Sequence, residues 1–269
     1  MKKRVDVILA EQGYFPSRQR AQSAIMAGNV LDHNHQRIDK AGDKFEESET
    51  FILKNHDAKY VSRGGFKLEK ALKVFDISLQ DKICLDIGAS TGGFTDVALQ
   101  NGAQKVYALD VGYNQLAWSL REDPRVVVME RQNFRYSTLA DFTQGRPTFA
   151  MTDVSFISLK LILPPMYNIL ENNHDAVCLI KPQFEAGREK VGKKGIIKDH
   201  KVHAEVLETI IDFSLKTGFD VLNLDFSPIK GGHGNIEFLI HLRKNESGSG
   251  QNQWNKPVSE LIALVDEGI

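Results

Sequence analysis

The chain has 269 residues, 42% hydrophobic and 26% charged, with 34 Lys+Arg against 35 Asp+Glu and a formal net charge of −1. Such a length suits one large domain, or a large one with a small one, and the composition is that of a globular rather than a disordered protein. No run approaches the roughly 18 apolar residues of a membrane helix. The basic start Met1-Lys2-Lys3-Arg4 lacks the apolar core and cleavage site of a signal peptide, so a cytoplasmic protein is expected. Cys84 and Cys178 each sit in a short apolar strand-like run and read as buried free thiols, with no disulfide or metal expected.

Residues 1–58 read as a small module. Val5, Ile8 and Leu9 have helical spacing that stops at Gly13. Ser17 can cap a second helix with Ala21, Ala24 and Ile25 on its apolar face and Gly28 at its end. Asn29–His35 suggests a short strand entering a polar turn, with Gln36–Ile38 as its return. Lys44-Phe45 and Thr50–Leu53 are further short strands, and residues 54–60 have a linker's composition.

From residue 64 the pattern changes. Leu68, Ala71, Leu72 and Phe75 make an amphipathic helix. Strands then alternate with helices: Ile83–Ile87, a helix over Gly93–Gln100, Lys105–Asp110, a helix near Asn114–Arg121, Arg125–Met129, Thr148–Val154, a helix near Ser158–Leu170, and Asp175–Ile180. Asp199 can cap a long helix that stops at Gly218, and Val221–Phe226 and Asn235–Leu242 close the domain near residue 245. This alternation predicts right-handed crossovers and a mostly parallel sheet. The last two strands have no helix between them, which predicts an antiparallel edge. Residues 246–269 read as a polar linker and one short amphipathic helix carrying Val258, Leu261, Ile262 and Val265.

The most informative segment runs Asp86-Ile87-Gly88-Ala89-Ser90-Thr91-Gly92-Gly93-Phe94: a strand ends in an acid, enters a glycine-rich turn and opens a helix. Gly88 allows a tight turn, and Gly92 and Gly93 would let a ligand approach the backbone. The G-x-x-x-G-G spacing is not the G-x-G-x-x-G of dinucleotide binders. Asp110, at the end of the second strand, is placed to accept from a ribose diol. An acid before the first glycine and another after the second strand suit S-adenosylmethionine better than NAD. Val111 and Asn133, after the second and third strands, are assigned to the same ligand.

Ligands in open α/β sheets bind beyond the carboxyl ends of the strands. Asp153 and Lys181 stand at two such ends. A lysine there is partly desolvated, which lowers its pKa and fits it for general-base work. Asp153 can orient it or hold substrate. Lys67 borders the stripe of the first helix, and Glu237 interrupts an apolar run, so it needs a partner if buried or is an edge-strand carboxylate.

At this point two resemblances emerge. Arg4-Val5-Asp6, Ser17-Arg18, Ala21 and Ile25–Val30 resemble the small RNA-binding domain named after ribosomal protein S-four. Ser62–Lys67, Asp86–Thr95, Thr152–Ser158 and Ile180–Glu185 resemble the FtsJ-like ribose methyltransferases. In this order, over nearly the whole chain, the motifs resemble the TlyA family, described both as haemolysins and as ribosomal RNA 2′-O-methyltransferases acting on cytidines. The resemblance implies a Rossmann-like class I methyltransferase sheet of seven strands with the last antiparallel, behind a small α+β RNA-binding domain. It implies a catalytic tetrad of Lys67, Asp153, Lys181 and Glu237, with Lys181 as base and Lys67 holding the nucleotide and depressing the pKa of Lys181. Asp153 would also contact the cofactor. Ribosomal RNA within ribosomal subunits is the implied partner, without a stable membrane partner; the oligomeric state stays open. Phe156 or Phe184 could stack on an extruded base or pack in the core. The family pattern has a tryptophan before Val-Ser-Arg-Gly, where this chain has Tyr60.

The near-zero charge hides local asymmetry. Residues 1–40 hold seven cations against four acids, and residues 181–203 hold seven against three. Lys3, Arg4, Ser17, Arg18, Arg20, Arg63, Lys193 and Lys194 are the expected RNA contacts. The rival expectations are a membrane-lytic protein and an inactive RNA-binding adaptor.

Overall fold

A computed structural model describes residues 2–15, 17–26, 28–53, 59–192 and 195–268. The chain divides into two compact units, Met1–Lys59 and Tyr60–Ile269. In the first, β1 (Lys2–Arg4) leads into α1 (Val5–Glu11), followed by α2 (Arg18–Met26), β2 (Val30–Leu31), β3 (Lys44–Glu46) and β4 (Ile52–Leu53). β1 pairs antiparallel with β3, and β2 with β4. Ser17 caps α2 by accepting from Arg20 N, and Gly28, at φ +74°, ends it. Val5, Ile8, Leu9, Ala21, Ile25, Val30, Ile38 and Phe51 form the core, as their helical and strand spacing requires. The strand at Lys2–Arg4 carries no apolar alternation, so periodicity could not reveal it. The expected return at 36–38 is a single bridge, Leu31 to Arg37. Residues 54–58 of the expected linker lie outside the described residues.

The second unit is built on seven strands. These are β5 (Ile83–Ile87), β6 (Lys105–Asp110), β7 (Val126–Glu130), β8 (Phe149–Thr152), β9 (Asp175–Ile180), β10 (Phe219–Phe226) and β11 (Phe238–Lys244). Their spatial order is β10-β11-β9-β8-β5-β6-β7, and the five strands β5 to β9 run parallel to one another. The last strand, β11, runs antiparallel to both neighbours but lies one place in from the edge, which β10 occupies. Side chains alternate across the pleat. Cys84, Val106, Ala108 and Val177 face a layer with α3 (Gly65–Val74), α4 (Gly93–Gln100) and α5 (Trp118–Arg121). Leu85, Tyr107, Cys178 and Ile240 face α6 (Leu163–Ile169), α8 (His200–Thr217) and α9 (Val258–Gly268). Both cysteines are buried and free.

Two expected helices are shorter than their patterns. Residues 114–117 do not join α5, because Asn114 is left-handed (φ +57°) and Ala117 extended. Over 158–170, Ser158 caps a 3-10 turn at Leu159–Leu161, and α6 starts afresh where Pro164 and Pro165 suit a first turn. Asp199 caps α8 and Gly218 ends it at φ +104°, as expected. α9 buries Leu261, Ile262 and Val265 in the same core as α8, so these residues pack into this unit.

Candidate active site

Segments that follow β5, β6, β7, β8 and β9 converge with Lys67 and Glu237 around a cleft. A cavity of about 670 Å³ is lined by Lys67, the 86–94 turn, Asp153, Ser155, Lys181 and Glu237. A second, of about 460 Å³, is lined by Ile87, Leu109, Asp110, Val111, Asn133 and Ile162. Both share Gly88, Ser90, Asp153, Ser155 and Phe156, so they form two chambers of one cleft.

The glycine turn is held from beneath. Gly88 N and Ala89 N both donate to Leu109 O, which ties β5 to β6. Gly88 adopts φ +84°, and a Cβ there would meet Val154 and the Asp153 carbonyl. Gly92 and Gly93, expected to let a ligand approach the backbone, also have a packing role, and Gly93 lines the larger cavity. A Cβ on Gly92 would lie 2.3 Å from a Leu120 methyl, and one on Gly93 would lie 2.3 Å from Ser62 Oγ. These two glycines let α5 and the 62–65 segment press against the turn.

Asp86 is fully buried. Its Oδ2 accepts from both Thr95 N (2.9 Å) and Thr95 Oγ1 (2.7 Å), while Oδ1 is buried without a hydrogen-bond partner. Burial raises its carboxyl to about 7, with the nearby charges of Asp153 and Asp110 adding to the rise and the Thr95 bonds opposing it. Asp110 holds the turn and its own loop, Oδ2 accepting from Ser90 N (2.8 Å) and Oδ1 from Gly112 N (2.7 Å). Asn133 Oδ1 accepts from Arg135 N, and Val111 lies exposed at the rim.

The four separated charges do meet. Lys67 Nζ donates to Glu237 Oε2 (2.7 Å) and Asp153 Oδ2 (2.9 Å). Lys181 Nζ lies 2.5 Å from Asp153 Oδ1 and donates to Ser155 Oγ at 3.0 Å. Lys67, Lys181 and Glu237 are buried. Burial opposes the charge on Lys67, but Asp153 and Glu237 outweigh it and hold the ammonium above its ordinary pKa. Burial likewise opposes the charge on Asp153, yet Lys67 and Lys181 hold its carboxyl below the usual range. The nearest charge to Lys181 is thus Asp153, the carboxylate expected to orient it.

Other residues here carried no clear sequence signal. Ser155 touches Lys181. Asn235, buried beside the Gly231–Gly234 turn, donates to Gly195 O and Gly232 O and accepts from Ile197 N, joining two loops before Glu237. Its place in a glycine turn next to an apolar strand was the available hint. Of the two aromatics, Phe156 is 90% exposed and does not pack in the core; its ring centroid lies 5.0 Å from that of half-buried Phe184. Tyr60 is buried against Phe66, and Gly65 makes room for its ring.

Several expected RNA contacts are engaged internally. Arg4 and Arg18 both bind buried Asp6, Lys3 pairs with Glu11 and Glu47, and Ser17 serves α2 as cap. Asp6 is thereby held well below the usual carboxylate range, against the opposing effect of its burial. Arg63 is exposed and Arg20 half-buried. Lys193 and Lys194 lie outside the described residues. Among the described residues, no helix is long and apolar enough to cross a membrane.

Comparison with known proteins places the chain among methyltransferases. Residues 60–244 match the model of the FtsJ-like methyltransferase family. The chain is 57% identical over 266 residues to Bacillus subtilis (strain 168) YqxC, which bears a provisional rRNA methyltransferase name, covering 99% of this chain and 94% of that one. It is 40% identical over 240 residues to the Mycobacterium tuberculosis (strain ATCC 25618 / H37Rv) 16S/23S rRNA (cytidine-2′-O)-methyltransferase TlyA, covering 89% of each. A solved Streptococcus thermophilus structure, described as a hemolysin candidate, shares 53% identity at a TM-score of 0.78, covering 99% of this chain and 96% of that one. The chain belongs to the FtsJ-like methyltransferase family, in the group that contains TlyA and YqxC.

Proposed function

We propose that the protein methylates a ribose 2′-hydroxyl of ribosomal RNA, on a cytidine, with S-adenosylmethionine as donor. The observation that carries this reading is the Lys67–Asp153–Lys181–Glu237 cluster, set in the same cleft as the 86–94 turn. The residues present fit the donor. Asp86 Oδ1 is a buried acceptor without a partner on the wall of the larger chamber, suited to an ammonium. The smaller chamber has apolar walls from Ile87, Leu109 and Ile162 and polar ends at Asp110 and Asn133, suited to a nucleoside. When bound, the sulfonium supplies an electrophilic methyl group.

The chain's own residues then supply position and proton transfer. Lys181 Nζ, as the free amine, takes the proton of the 2′-hydroxyl as its oxygen attacks. With Lys67 charged, the two carboxylates leave one uncompensated negative charge in the cluster, and a proton on Lys181 balances it. Asp153 and Ser155 fix the direction of the Lys181 ammonium, and Glu237 fixes Lys67. Much of the rate enhancement is positioning. Phe156 offers a face to an extruded base. Arg63 and the outer edges of Arg4, Arg18 and Arg20 supply phosphate contacts. The setting is the cytoplasm, with the RNA in ribosomal subunits.

Mapping of ribose methylation on ribosomal RNA from cells with and without the gene tests this reading. A cytidine 2′-O-methyl that disappears with the gene supports it; identical maps refute it.

A further inference from the structure

We propose that Glu185 is a positioning residue for the RNA-facing edge of the cleft, where its carboxylate clasps the 153–158 loop and holds Phe156 exposed against Phe184. This rests on the ribose-methyltransferase reading above for its consequence in activity, but not for its structural part.

Phe156 is held in an unusual state. It is a bulky residue at φ +63°, a backbone conformation that such residues rarely adopt unless their surroundings impose it. Burial does not explain the strain, because the side chain is 90% exposed. The constraint comes from the two ends of the loop. At the near end, Asp153 is gripped by Lys67 and Lys181, and Ser155 receives Lys181 Nζ. At the far end, Glu185 Oε2 accepts from Ser158 Oγ (2.5 Å) and Oε1 accepts from Leu159 N (2.7 Å). Ser158 in turn accepts from Lys160 N, capping the turn at Leu159–Leu161. The clasp therefore fixes where the loop ends.

Glu185 closes α7 (Pro182–Glu185), the short helix that starts directly after Lys181. One short segment thus carries Lys181, Phe184 and Glu185, and each meets the 153–158 loop: Lys181 at Asp153 and Ser155, Phe184 at Phe156, Glu185 at Ser158 and Leu159. Glu185 lines neither chamber of the cleft, so it reaches substrate only through the loop. Burial raises its carboxyl above the ordinary value although the Ser158 and Leu159 bonds oppose the rise, in keeping with a largely enclosed clasp. Two ties at one end and one clasp at the other leave Phe156 little freedom. A pre-set stacking surface loses less conformational entropy on meeting a base than a mobile one.

The test uses the full chain and ribosomal RNA bearing the target, with two readouts. In limited chymotrypsin digestion, cleavage after Phe156 is expected to be at least about tenfold faster in Glu185→Ala than in wild type, since a loosened loop opens more often. In methyl transfer, Glu185→Ala is expected to lower kcat/KM for RNA roughly 10- to 100-fold with cofactor Kd within about threefold, and Glu185→Gln to recover most of the loss. In a Phe156→Ala background, Glu185→Ala should cost less than about threefold, because its route of action is already gone. Equal losses in both backgrounds, or unchanged cleavage after Phe156, overturn the proposal. If Glu185→Ala does not fold, Ser158→Ala removes one bond of the clasp from the other side and takes its place. Faster cleavage with a wild type that methylates no ribosomal RNA would leave the clasp standing and refute the functional reading instead.

Discussion

Lys67 and Glu237 are 170 positions apart in the chain and meet at 2.7 Å in a buried ion pair. α3 brings the lysine and the turn before β11 brings the carboxylate, so the pair exists only once the sheet has closed. It also determines what Asp153 can do. With Lys67 already neutralised on one side by Glu237, Asp153 is free to serve Lys181 through its other oxygen.

Breaking that pair leaves a buried ammonium with Asp153 as its one remaining carboxylate partner. Glu237→Ala should destabilise the protein by about 3–5 kcal/mol in urea unfolding, the range for removing one member of a buried pair. Glu237→Gln should cost less, since its amide oxygen still accepts from Lys67. An alanine variant as stable as wild type would show that the pair is not held in a low-dielectric site.

Lys181→Ala removes the group proposed to take the hydroxyl proton. Single-turnover methyl transfer should fall by about 10²–10⁴-fold, while cofactor affinity by calorimetry stays within a few-fold. Near-normal turnover would exclude Lys181 as the base.

The proposed role of Phe156 is to meet substrate and not to support folding. Because its ring is 90% exposed, Phe156→Ala should change unfolding free energy by no more than about 0.5 kcal/mol. RNA binding should weaken by about 1–3 kcal/mol, the worth of one base–aromatic stack. A large stability loss with intact RNA affinity would assign the ring to packing.

Asp86 makes stability depend on pH. Its folded-state carboxyl, raised mainly by burial, titrates at about 7, whereas an unfolded aspartate titrates at about 4. Between these values the folded chain keeps a proton that the unfolded chain has lost, so stability falls as pH rises through this window and is flat above it. The shift limits the loss to about 4 kcal/mol. Asp86→Asn keeps an acceptor for Thr95 and should flatten that slope in urea unfolding measured between about pH 4 and 7. Identical slopes in both proteins would show that Asp86 does not carry the titration.

Much of the fold was legible along the chain because its signals are local. The Ile83–Ile87 strand, the turn after Asp86, the cap at Asp199 and the stop at Gly218 each involve neighbouring residues. The 114–121 helix misled because apolar spacing does not report the left-handed backbone at Asn114. β1 was missed because a three-residue strand of cations has no alternation to detect.

The sites divide in the same way. Position at strand ends nominated Asp153 and Lys181, and the family resemblance added Lys67 on a helix and Glu237 before the last strand. Their pairing was not written there. Which carboxylate faces which lysine, why Gly92 and Gly93 must lack side chains, and why Arg18 turns to Asp6 all depend on packing between separate segments. A sequence lists charges and their order; partners and burial come from the folded contacts, and these set the energy of each charge.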